Sequence, residues 1–222
     1  MVMTTHIYVH EEVAAIQLLY TDRITAAPAS PKGELESWVK VLEPLGEDDA
    51  RVGCLLRNWA SRPLPKEDFA DRLRRAVAGE HGFRSWEDAM TRGARSFIPE
   101  FELAVEALLA GDETGLKEVL DENPTLLAAR SAYGHGATLL HYAAANGVET
   151  RRQRVPGNLP ILLQQLLQGG ANPLATMRVY GSLHTTRALL QTSAHPFAAG
   201  VGAEAAAVLR QAELPRRKRT PR

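Results

Sequence analysis

Seven histidines and one cysteine are the side chains of this chain best suited to hold a metal or attack a substrate. His135, His141, His184 and His195 all lie in its second half. A zinc site needs three or four converging ligands, with outer groups to orient them. No His-x-x-x-His pair falls on a helical pattern. The single cysteine forbids an internal disulfide and a cysteine cluster alike. Cys54 sits beside Leu55 and Leu56 in an apolar stripe, where a thiol packs as a small hydrophobe. Ser131, Ser182 and Ser193 lack the Gly-x-Ser-x-Gly frame of a nucleophile. Neither a phosphate-cradling Gly-x-x-x-x-Gly-Lys loop nor a dinucleotide fingerprint occurs. The carboxylates spread along helical faces and form no assignable acid–base pair. The expectation is a chain with no catalytic residue, no cofactor and no metal.

Arginine carries the remaining chemistry. Arg151, Arg152 and Arg154 are clustered, and guanidinium groups suit bidentate contact with carboxylate or phosphate. A second basic run, Pro215-Arg216-Arg217-Lys218-Arg219-Thr220-Pro221-Arg222, closes the sequence. Such a run reads as a disordered tail able to make only weak, salt-sensitive contact with nucleic acid. It has no interleaved aromatic residue on which a base could stack.

These groups need elements to position them. With 222 residues, 45% of them hydrophobic and 23% charged, the chain suits one or two globular domains. Twenty-six basic and 26 acidic side chains cancel, so no global field draws it to nucleic acid or membrane. Glu11, Glu12 and His10 interrupt any early apolar run, and no apolar stretch reaches the roughly 20 residues of a membrane helix. A cytoplasmic location follows as the expectation. Arginine well above lysine, with abundant alanine, suggests a GC-rich bacterial genome.

Residues 1–33 are poorly defined by pattern. Ile7-Tyr8-Val9 suggests a short strand, Val13 to Tyr20 a helix, and Ala26 to Gly33 a linker. From residue 34 to residue 98 helices dominate. Leu35, Trp38, Val39 and Leu42 fall on one helical face, as do Val52, Leu55, Leu56 and Trp59, then Phe69, Leu73, Ala76 and Val77. Ser85 with Asp88 resembles a capping box. Trp38, Trp59 and Trp86 are expected to anchor this packing.

Beyond residue 99 the chain repeats itself. Gly111 and Gly147 lie 36 residues apart, and Ala107 falls on Ala143 in that frame. Aligning Val119-Leu120 with Leu166-Leu167 places an 11-residue insertion at about residues 149–159. Thr138 and Thr185 are 47 apart, the 36-residue period plus that insertion, so one insertion explains both registers. A third, degenerate unit starts near Tyr180-Gly181, with Arg187 at a core leucine position and a second helix at Ala203 to Arg210.

Gly136-Ala137-Thr138-Leu139-Leu140-His141-Tyr142-Ala143-Ala144-Ala145-Asn146-Gly147 resembles one whole ankyrin-repeat helix with its cap, in the pattern Gly-x-Thr-Pro-Leu-His-x-Ala-Ala-x-x-Gly. Leu139 departs from it where the family has proline. Gly169-Gly170-Ala171-Asn172 is similar to the family's ending of a second helix, although Pro173 makes the exit unusual. The segment Glu80 to Trp86 is similar to one that precedes the repeats in a bacterial ankyrin-repeat group whose members commonly lack an assigned function. The resemblance covers about half the chain and implies an all-α fold: a short, irregular ankyrin solenoid over 99–214 behind an N-terminal helical cap at 34–98. It implies structural roles for Thr138, Leu140, His141, Ala143 and Gly147, with the histidine bonding backbone or hydroxyl groups. It also implies a non-catalytic protein–protein interaction module. Candidate contacts are Tyr133, His135, Tyr180 and His184 at loop tips, with Arg151, Arg152 and Arg154 in the inserted loop. His135 and His184 sit near equivalent positions of adjacent units and so could share a metal or partner contact. The competing reading is an enzyme, small-molecule or metal-binding protein with a cleft between the N-terminal helices and the repeats, using His81, His135 or Glu80. A third is an activity in the N-terminal half that the repeats merely target.

Overall fold

A computed structural model describes residues 5–24 and 26–214. The expected basic tail at 215–222 lies outside the described residues. The chain is mostly helical, with twelve α-helices and few short strands among the described residues.

The first half holds β1 (Ile7–Val9), α1 (Glu11–Arg23), α2 (Pro31–Leu42), α3 (Ala50–Trp59), α4 (Phe69–Glu80) and α5 (Trp86–Arg92). Side-chain caps start most of them. Ser30, Asp49, Asp68 and Ser85 accept from the backbone N–H of Gly33, Arg51, Asp71 and Asp88. The apolar stripes of α2, α3 and α4 bury against one another, with Leu35, Trp38, Leu42, Val52, Leu56, Leu73 and Val77 in one core. Strand β1 coincides with the strand expected at Ile7-Tyr8-Val9, and α1 extends the expected Val13–Tyr20 helix at both ends.

The second half holds α6 (Pro99–Ala110), α7 (Glu113–Glu122), α8 (Leu139–Tyr142), β2 (Arg154–Pro156), α9 (Leu159–Gln168), β3 (Thr176–Val179), β4 (Ser182–Thr185), α10 (Thr186–Thr192), α11 (His195–Ala198) and α12 (Gly202–Glu213). Helix α6 packs on α7 and α8, α8 on α9 and α10, and α12 on α9 and α10. Phe101, Leu108, Leu116, Leu140, Tyr142, Leu163, Leu190 and Leu209 fill this second core. Trp59 packs against both cores and fastens one to the other.

Three features differ from expectation. Regular helix at α8 ends at Tyr142, not at Gly147. The bonds from Ala143, Ala144 and Ala145 N–H reach back only three residues, and Ala145 takes φ +46°. That chain tightens into a 3-10 pattern, which small side chains permit. The insertion is not a free loop. Thr150–Arg152 forms a 3-10 turn, and β2 pairs antiparallel with β1, Ile7 opposite Pro156 and Val9 opposite Arg154. Finally, a β3–β4 hairpin precedes α10, closed by Tyr180-Gly181 with φ of +52° and +79°. Two residues with positive φ make the turn whose twist matches a hairpin.

The two halves also meet backbone to backbone. Gly134 N–H donates to the His81 carbonyl at 2.9 Å. A Cβ on Gly82 (φ +76°) would lie 2.2 Å from the His135 nitrogen, so this approach requires glycine.

Candidate functional site

The arginine cluster turns inward rather than outward. Arg151 forks onto Glu34 of α2, Nε to Oε1 at 3.0 Å and Nη2 to Oε2 at 3.3 Å. Its guanidinium lies 4.4 Å from the Tyr20 ring centre and donates to the Tyr133 hydroxyl at 3.2 Å. Tyr133 in turn donates to Glu34 at 2.6 Å. Burial works against the Glu34 carboxylate, but Arg151 and His81 outweigh it and hold its pKa far below the usual range. Burial also opposes a charged His81, yet Glu34, 3.8 Å away, and the surrounding carboxylates leave its pKa raised. Tyr20, desolvated beside Glu34, is pushed up to about 12.

Arg152 is fully enclosed. Its Nη2 donates to Glu102 of α6 at 2.6 Å, and Nε lies 3.3 Å from Glu106 without alignment for a hydrogen bond. The rings of Tyr142 and Tyr133 flank the guanidinium at 5.7 and 6.0 Å. Arg154 pairs with Glu106. The expectation of an exposed basic loop free for a partner is therefore corrected. Three carboxylates of α2 and α6 consume these cations, because the insertion is pinned between α1, α6 and β1.

Tyr133 and His135 are likewise buried, each only 2% exposed, and are not open loop tips. His135 Nδ1 accepts from Ala137 N–H at 3.0 Å, and its Nε2 faces Glu149 at 3.3 Å. Glu149 is fully buried, and burial would raise its pKa. His135 and the nearby arginines instead bring it down to about 2. His184 stands apart, its Nε2 2.9 Å from the Ser182 hydroxyl on the hairpin. The two histidines thus have separate partners. Among the described residues, no three His, Cys, Asp or Glu side chains converge as a metal-binding set.

His141 is internal too. The Thr138 N–H donates to its Nδ1 at 3.1 Å, and the Thr138 hydroxyl lies 2.8 Å from the same nitrogen. Nδ1 therefore accepts, and the proton sits on Nε2, which makes no well-formed hydrogen bond. Burial brings the His141 pKa down to about 4, with nearby backbone of His184 and Ala175 offsetting only part. Leu140 and Ala143 are buried, and Gly147 takes φ +74° against Met177 and Val179.

Tyr180 and His184 remain at the surface. Tyr180 is 58% exposed, yet its ring stacks on Trp59 at 5.6 Å and its hydroxyl donates to Asn146 at 2.8 Å. Beside it Leu183 is also 58% exposed. The hairpin is tied to the chain behind it by Arg178 N–H, which donates to the His135 carbonyl at 3.0 Å.

A pocket of about 380 Å³ opens between α1, α2 and α3. Ile16, Trp38, Leu55 and Trp59 give it an apolar wall, and Glu12 and Glu80 bring carboxylates. Glu80 was nameable from sequence as a cleft residue. The tryptophans read only as core anchors, because nothing local shows that an apolar stripe has an uncovered end. Cys54 also lines this pocket. Burial and the neighbouring Glu12 raise its pKa, so the thiol stays protonated.

No known protein family, curated protein or solved structure matches this chain. No helix among the described residues is long and apolar enough to cross a membrane.

Proposed function

We propose that this protein is a non-catalytic, ankyrin-like interaction module that binds a protein partner through its β3–β4 hairpin. The observation that carries the reading is the pairing of exposed Tyr180 and Leu183 on a hairpin anchored from behind by Trp59. A rigid turn presenting apolar and aromatic side chains loses little entropy on binding. The successive packing of α6, α8 and α10, with α9 and α12 behind, supports a stacked-repeat arrangement. His184 and Ser182 extend the same edge with polar groups. The arginines do not belong to this surface, since they bind the two halves together. The expected setting is the cytoplasm, with the partner's identity left to experiment.

The test is affinity capture from lysate of the source organism, quantified by mass spectrometry. Leu183→Asp is compared with wild type and with Leu64→Asp, a similarly exposed leucine of the first half. Retention of a partner by wild type and Leu64→Asp, with loss in folded Leu183→Asp, is the expected pattern. Equal capture by all three would remove the hairpin from the argument.

A further inference from the structure

We propose that the pocket between α1, α2 and α3 is a binding site for a small organic cation: a primary amine carried on a compact apolar or aromatic body. None of its lining residues lies on β3 or β4, so the inference does not rest on the hairpin reading.

The volume, about 380 Å³, is in the range of small-ligand sites rather than packing defects. The walls set the body of the ligand. Ile16, Leu55, Trp38 and Trp59 line the pocket with apolar and aromatic side chains, although the Tyr180 ring already covers one face of Trp59. The charges set its head group. Glu80 is the informative residue, because it is only 8% exposed and still lines the pocket. One of its oxygens accepts from Thr150 N–H at 3.1 Å, and no cation pairs with it among the described residues. His81, next in the chain, turns instead toward Glu34, 3.8 Å away, and the Val77 carbonyl. The second Glu80 oxygen accepts no hydrogen bond among the described residues, and a ligand ammonium in the pocket would donate to it in a charge-assisted bond.

The basic groups at this pocket do not argue for an anion. Arg51 is tied to Asp49 through two hydrogen bonds, at 2.9 and 2.6 Å. Arg57 is exposed at the rim, while Glu11 and Glu12 add negative charge from the first turn of α1. Indole faces favour a cation, whereas they repel a carboxylate. Both the wall and the field therefore select an ammonium with an apolar tail.

Calorimetry and tryptophan fluorescence on the full chain test this, with 2-phenylethylammonium as probe and 3-phenylpropionate as its oppositely charged twin. Trp38 and Trp59 line the site, so occupancy shifts their emission. The expected result is saturable amine binding at least about tenfold tighter than the carboxylate, a gap of ~1.4 kcal/mol. Glu80→Gln keeps an acceptor for Thr150 and should weaken the amine about tenfold. Ala15→Leu narrows the pocket and should weaken binding without touching a charge. Three results overturn the proposal: no saturation by the amine up to about 10 mM, equal affinity for the carboxylate, or unchanged amine affinity in folded Glu80→Gln. Should Glu80→Gln fail to fold, the charge twins and Ala15→Leu decide.

Discussion

Replacing Arg151 with methionine isolates the central ion pair of the molecule. The substitution keeps an unbranched apolar stem but removes both bonds to Glu34, the bond to Tyr133 and the face-on contact with Tyr20. Glu34 would remain buried, served by the Tyr133 hydroxyl at 2.6 Å and by His81. Breaking a buried pair in this way costs about 3–5 kcal/mol. For a chain of this size each kcal/mol lowers Tm by about 2–4 °C, so the melting temperature should fall by about 6–20 °C. Thermal and urea unfolding at pH 7, followed by circular dichroism, provide the measurement. Glu34→Gln added to Arg151→Met removes the stranded charge and should recover more than 1 kcal/mol of the loss, about the coupling expected of contacting groups. The pH dependence carries a sign. A carboxylate whose folded pKa is depressed stabilises fully above its unfolded value of 4.5, and that stability drains away as pH falls further. Wild type and Arg151→Met should therefore converge in acid. A loss within about 1 kcal/mol at pH 7, the worth of an exposed pair, would refute the reasoning.

Further outcomes follow from other contacts. Reversing Arg151, Arg152 and Arg154 together to glutamate should unfold the protein rather than create a selective binding mutant; a wild-type melting curve would contradict the inward pairing. Gly82→Ala should destabilise strongly, by about 3 kcal/mol or more, because its Cβ meets His135 backbone at 2.2 Å; unfolding midpoints decide it. His141 is held neutral, so its contribution is full above the ordinary 6.5 and lost as pH falls through about 4. A His141→Gln variant should show a shallower stability decline across that window. Cys54, protonated and half-buried, should react with iodoacetamide more slowly at pH 7 than a free thiol, and faster in urea.

Most of the helices were legible because their stripes are local. Leu35, Trp38 and Leu42, or Val52, Leu55 and Trp59, declare a face within three turns, and caps such as Ser85 mark starts. Ile7-Tyr8-Val9 was legible as a strand, but its partner at residues 154–156 was not. The arginines show why. Whether a guanidinium serves a partner or a fold depends on Glu34, Glu102 and Glu106, which lie 46 to 117 residues away and carry no local signal of pairing. The burial of Tyr133 and His135 had the same origin, since distant residues of the first half cover the loop that carries them. Of the residues expected at loop tips, Tyr180 is exposed and His184 half-buried, both at the hairpin. Glu80 was legible as a cleft residue, but the tryptophan wall of its pocket was not, because an uncovered end of an apolar stripe reads like any other core.

The pairing of β1 with β2 changes how the chain must fold. Ile7 finds Pro156 across 149 residues of sequence. Stacked repeats alone assemble from neighbours and can tolerate fraying at either end. Here a strand made early on the ribosome waits for one made much later, and closing that long loop is an entropic toll paid before its contacts form. The clasp therefore ties the start of the chain to its second half in one cooperative event, and leaves little room for the two cores to melt piecemeal.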